Sequence, residues 1–146
     1  FSSPILRART TAEVIAEANG APLQMDARLQ ERDMGDWDGL WFDEIQRNHA
    51  ELFAQWKADP TAFVPPGGES LYDLRDRLQQ ALAEWLEAYR GQTIAVVCHV
   101  GPLRVAICEA LGLPLTRHRL LTIENAAPTR INYGRHQNNL VYFNRI

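Results

Sequence analysis

Three short stretches of this 146-residue chain carry residue types that could do chemistry together. In TIAVVCHVGPLR (93–104) an apolar run stops on His99 and breaks at Gly101-Pro102. A strand followed by a helix puts the loop between them at the strand's carboxyl end, where open α/β sheets hold their ligands. The N–H groups opening that helix point to the same place and favour an anion. His99 could donate there to a phosphoryl oxygen, beside the backbone N–H of Val100. The plainer reading is a histidine that caps the turn. Arg7 and Arg9 fall in the first turns of a helix, where a cation is disfavoured unless an anion lies between it and the helix end. Taken singly, either could be a solvated surface cation. Glu31 precedes GDWDG in a loop, close in sequence to Trp37 and Trp41. A carboxyl group beside indoles is partly desolvated, which favours the protonated form and suits general acid work. Its alternative is a surface carboxylate, and Asp33, Asp36 and Asp38 read as turn residues.

The elements that must position these residues follow from periodicity and punctuation. Residues 4–19 read as a helix with Ile5, Ala8, Ala12, Ile15 and Ala16 on one face, stopped by Asn19-Gly20. Leu23 and Met25 alternate with polar neighbours across a short strand, and 29–41 has no period and reads as a loop. A helix is expected from about 42 to 57, ending before Pro60. FVPPGGES leads into Ser70, which with Asp73 resembles a capping box. The helix it opens carries Leu74, Leu78, Ala81, Leu82, Trp85, Leu86 and Tyr89, and Gly91 closes it. A buried strand over 93–98, a helix over 102–111 capped by Gly112, and a hairpin in the tail complete a single α/β domain.

Composition narrows the classes of function. The chain is 46% hydrophobic and 23% charged, with net charge −3, which offers no general attraction for nucleic acid or an anionic membrane. No apolar run approaches the roughly 20 residues of a membrane span. Cys98 and Cys108 read as buried thiols in a reducing, cytoplasmic setting. The histidines and cysteines lack metal-ligand spacing, and neither G-x-G-x-x-G nor a Walker pattern is present. The sequence opens on Phe1 as if within a strand, with Ser3-Pro4 as cap and first helical residue, so we expect it to be the carboxyl-terminal part of something longer.

Taken in order, these segments resemble the histidine phosphatase superfamily, the phosphoglycerate-mutase-like proteins. SSPILRARTTAE (2–13) is similar to its second phosphate-binding segment, LQERDMGDWDG (29–39) to its acid segment, and VVCHVGPLR (96–104) to the strand bearing its second active-site histidine. PPGGES (65–70) and NAAPTRI (125–131) are further family-like features, and the order and spacing agree along almost the whole chain. The resemblance implies a three-layer sheet flanked by helices, with a short insert at about 36–66. It implies a metal-independent phosphomonoesterase, without cofactor, that works through a phosphohistidine. Arg7 and His99 would hold the phosphoryl group, the Val100 N–H would be an extra donor, and Glu31 would be the acid and base. Trp37, Trp41 and Phe42 would either form an aromatic lid or pack in a minicore under the insert. The substrate would be a small phosphorylated metabolite, and the resemblance leaves room for a homodimer.

Two departures bear on this reading. The family's Arg-His-Gly nucleophile motif, with its central strand, is not in the sequence, and His49, His118 and His136 do not replace it. Val100 stands where glycine is usual. The insert is shorter than in cofactor-dependent mutases and resembles that of small phosphatases of the α-ribazole phosphatase type. Mutase activity and a catalytically inactive module that binds phosphorylated ligands or a protein are the alternatives.

Overall fold

The computed structural model describes residues 1–145. Helix α1 (Leu6–Asn19) buries Ala8 and Ala12 and ends at Gly20, whose φ of +59° gives the left-handed turn that releases the chain. Ser3 assists its start, because its Oγ accepts from the Ile5 N–H. Helix α4 (Leu71–Ala88) begins as the sequence expects: Ser70 Oγ accepts from the Asp73 N–H at 3.0 Å, and the Asp73 carboxylate accepts from the Ser70 N–H at 2.9 Å. The Ser70 contacts hold the Asp73 carboxyl below its usual range. Leu71, Leu74, Leu78, Ala81 and Trp85 recur at helical spacing and are all buried. They join Leu29, Val105, Cys108 and Leu115 in the main core. Each large side chain so buried contributes about 1.5–3 kcal/mol.

The sheet consists of short extended segments. Ser2 bridges in parallel to Met25 on one side and Val97 on the other. The Ser2 N–H donates to the Gln24 carbonyl and the Ser3 N–H to the Val97 carbonyl, each at 2.9 Å. The stretch 93–98 differs from the buried strand expected. Ala95 is exposed and Val96 is 36% exposed, because nothing among the described residues covers its outer edge. Its odd positions pair with residues 1–3, whereas the backbone groups of Ile94 and Val96 have no backbone partner among the described residues.

Helix α5 (Val100–Leu111) starts two residues earlier than the periodicity suggests and ends at Gly112, φ +65°. With α4 it covers one face of the extended segments, through contacts with Phe1, Ile94 and Cys98. On the other face Ala12, Ile15 and Ala16 of α1 share a cavity with Ala95 and Val97, which makes the third layer. The tail forms the expected hairpin, strands β1 (Arg130–Asn132) and β2 (Asn139–Tyr142), against α5.

The insert holds its own small core. Instead of one helix over 42–57 there are two, α2 (Phe42–Asn48) and α3 (Ala50–Ala58), broken at His49 with φ −136° and ψ 47°. No apolar side chain lies between Ile45 and Leu52 except Ala50, so a continuous helix would have no stripe there to bury. The break turns Phe53 and Trp56 onto Ile45 and Trp37, and Trp37 stacks on Phe63 with ring centroids 5.0 Å apart.

Candidate active site

His99 is the residue that caps α5, and it is buried at 9% exposure. Its Nε2 lies 2.8 Å from Ser3 Oγ, a buried hydroxyl at the carboxyl end of the neighbouring extended segment. Burial pushes the His99 imidazole below its ordinary pKa of 6.5. The nearby Arg7 guanidinium acts in the same direction and the Glu31 carboxylate in the opposite one. Burial thus favours the neutral ring, which can donate one N–H. Arg7 is exposed on the first turn of α1 and makes no ion pair or side-chain hydrogen bond among the described residues. Arg9, one face away, pairs with Glu13 at 3.4 Å.

Glu31 reaches across from its loop to the start of α5. The Gly101 N–H donates to both carboxylate oxygens, at 3.0 and 3.2 Å, and the Arg32 N–H donates to Oε1 at 2.9 Å. A Cβ on Gly101 would fall 2.2 Å from Glu31 Oε1, so glycine is what lets the carboxylate approach. The carboxylate thus sits at a helix N-terminus, where exposed N–H groups favour an anion. It was expected beside indoles, but Trp37 is 2% exposed and packed in the insert core, so it cannot line a substrate pocket. Trp41, 79% exposed, is the indole that faces outward. Val100 is the first residue of α5, beside His99. Arg7, Glu31, Arg32 and Asp38 share an open cleft of about 430 Å³ with Ile5, Gln30 and Asp33.

The loop bearing Glu31 is anchored by residues that sequence reasoning missed. Arg32 donates to the carbonyls of Glu69 at 3.0 Å, Pro60 at 3.3 Å and Phe63 at 2.8 Å, which ties the loop to the end of the insert. The PPGGES segment lies flat against the 33–36 turn. The Asp36 N–H donates to the Pro66 carbonyl, and a Cβ on Gly35 (φ +54°) would stand 2.1 Å from that oxygen. The paired glycines were a legible signal of close backbone approach, but the sequence does not say to what. Cys98 and Cys108 are free thiols; Cys108 is buried as expected, Cys98 is half-buried, and desolvation pushes the Cys98 thiol up to about 11. Among the described residues there is no cluster of three or more His, Cys, Asp or Glu suited to a metal ion, and no helix long and apolar enough to cross a membrane.

The family model for the histidine phosphatase superfamily (branch 1) matches residues 1–146. Phosphoserine phosphatase 1 of Hydrogenobacter thermophilus is 31% identical over 144 residues, which span 99% of this chain and 68% of that protein. A Salmonella paratyphi B protein named "Probable phosphoglycerate mutase GpmB" is 35% identical over 137 residues, spanning 94% of this chain and 64% of the relative. Among solved structures, the α-ribazole phosphatase from Shigella flexneri superposes with a TM-score of 0.87 over 98% of this chain and 71% of its own, at 23% identity. That likeness identifies the fold: the three layers described above are those of a phosphoglycerate-mutase-like protein.

Proposed function

We propose, for a chain that belongs to the histidine phosphatase superfamily (branch 1), a metal-independent phosphomonoester hydrolase working through a phosphohistidine. The observation that carries this reading is convergence. Arg7 and Glu31 share one cleft, and His99 lies at the same end of the extended segments, close enough for both charges to act on it. In this reading the nucleophile is a histidine on an Arg-His-Gly strand outside the given sequence, and the unpartnered edge at Ile94 and Val96 is where that strand pairs.

The nucleophile's ring nitrogen attacks phosphorus as the ester P–O bond breaks. Arg7, the His99 N–H and the N–H of Val100 hold the equatorial oxygens, on which negative charge is concentrated. Glu31 gives a proton to the departing alkoxide. In the second step water attacks the phosphohistidine phosphorus, the P–N bond breaks, and the Glu31 carboxylate takes the water's proton. Trp37 supports the insert from within its core, and Trp41 on the outer surface is the residue proposed to meet the leaving group. The substrate is a small phosphorylated metabolite, as the name of the Hydrogenobacter relative suggests. A phosphatase fits the short insert better than a mutase.

The test is turnover of p-nitrophenyl phosphate by the full-length protein. Arg7→Ala and His99→Ala should each lower kcat by about 10²–10³, the cost of removing one preorganised donor to a developing anion. Folded variants that keep more than half the activity would overturn the assignment.

A further inference from the structure

Arg77 lies outside the cleft and touches none of the reacting groups, yet it bonds the backbone of the loop that carries Glu31 at two points. It stands on α4, on the side facing residues 28–33. Its Nη1 donates to the Arg28 carbonyl at 2.6 Å and its Nη2 to the Glu31 carbonyl at 3.1 Å. The same guanidinium donates to Glu69 through Nε at 3.0 Å and Nη2 at 2.6 Å. Glu69 Oε1 in turn accepts from the Asp33 N–H at 3.1 Å. One planar fork therefore fixes the carbonyls at both ends of the 28–31 turn, and its counter-ion fixes the backbone two residues further on.

We propose that Arg77, with Glu69 as its counter-ion, is the positioning residue for Glu31, an inference that rests on the acid–base role given to Glu31 above. The physical argument concerns reach. Glu31 must span from its own backbone to the Gly101 N–H, and the bonds it makes there are 3.0 and 3.2 Å long. Misplacing a catalytic group by about 1 Å costs on the order of 10²-fold in rate. Holding the Glu31 carbonyl directly is the shortest available way to prevent that slip. The Arg77 and Glu69 side chains are only 21% and 18% exposed, so the pair is largely withdrawn from water and held to one geometry. Lysine would keep the charge but not the fork, because an ammonium is a point donor that cannot span two carbonyls and a carboxylate. The Arg77 charge also acts on the His99 ring, but an effect on His99 would reach every substrate equally.

That distinction supplies the experiment. Arg77→Gln, Arg77→Lys and Glu31→Gln are made in the full-length protein, and kcat and KM are measured for p-nitrophenyl phosphate and for a simple alkyl phosphate. An alkoxide needs a proton on departure and nitrophenolate does not. Both Arg77 variants are expected to lose about tenfold or more in kcat/KM on the alkyl phosphate and less than about twofold on the nitrophenyl ester. The ratio kcat/KM stops at phosphohistidine formation, so it leaves out the hydrolytic step, with Glu31 as base, that the two substrates share. If Arg77→Gln does not fold, the charge-preserving lysine variant carries the test. Equal losses in kcat/KM on the two substrates, or no loss, would overturn the positioning role if Glu31→Gln still discriminates between them. If Glu31→Gln itself fails to discriminate, the acid assignment fails and this inference falls with it.

Discussion

The surroundings of Glu31 and those of His99 are finished to different degrees. Around Glu31 the backbone of the loop is tied down inside the chain: Arg32 holds three carbonyls, Arg77 holds two carbonyls and Glu69, and the glycines of PPGGES lie against the 33–36 turn. Around His99 the inner edge of 94–98 is paired and the outer edge is bare, with Val96 partly exposed beside it. A bare, apolar sheet edge is a liability that proteins normally cover. In the proposed reading, the contrast separates an acid–base arm held by contacts within these residues from a phosphoryl-binding edge that a further strand would cover.

The sharpest way to break the finished side is to add one methyl group. Gly35→Ala should cost at least about 3 kcal/mol, since a positive φ combines with a backbone clash that no rotamer relieves. Gly20→Ala has a similar φ and open space around it, and should cost about 1 kcal/mol. Comparing their urea midpoints checks both values. Gly101→Ala should act differently. Its Cβ meets the far end of a flexible side chain, so the fold gives way there at little cost while Glu31 is driven from the start of α5. Turnover of an alkyl phosphate should fall by about 10²-fold with Tm nearly unchanged.

A smaller effect is expected from pH. His99 and His118 are both held below 6.5, mainly by burial, and His118 also by Arg119, Arg104 and Arg32 against a carbonyl contact from Leu115. Their folded pKa lies below the unfolded one, so they contribute stability above about pH 6.5 and lose it as pH falls through the folded values. Tm should drop between pH 7 and pH 5, and His118→Asn should flatten that slope. The smallest effect bears on the unfinished side. Val96→Lys should change the stability of the 146-residue chain by no more than about 0.5 kcal/mol and reduce its self-association in light scattering. In the full-length protein the same change should be clearly destabilising, because a covering strand would bury the lysine. Equal cost in both would mean that nothing seats on that edge.

What was legible in the sequence was whatever local chemistry decides. The Ser70–Asp73 cap, the stripe from Leu71 to Trp85, the glycine stops at Gly20 and Gly112 and the tail hairpin all rest on neighbours a few residues apart. The elements that went astray depend on distant partners. Residues 93–98 read as buried because their apolar run matches a central strand, but burial requires a neighbour on each side. The 42–57 helix breaks because Phe53 and Trp56 must reach Trp37. Within the candidate site, Glu31, Arg7 and His99 could be proposed from type and order. Ser3, Gly101, Glu69 and Arg77 were not, because their roles exist only where segments from opposite ends of the chain meet. Trp37 shows the same limit: adjacency to Glu31 in sequence suggested an indole in the cleft, and packing took it into the insert core.

The most direct test of the account is a rapid quench of the full-length protein with a ³²P-labelled phosphomonoester that has a good leaving group. Wild type and Glu31→Gln are denatured in base and digested, and the label is located. The account expects acid-labile, base-stable phosphohistidine in both. It should accumulate further in Glu31→Gln, because the first step needs no acid there and the second has lost its base. Turnover without any protein-bound phosphate in either form would contradict it.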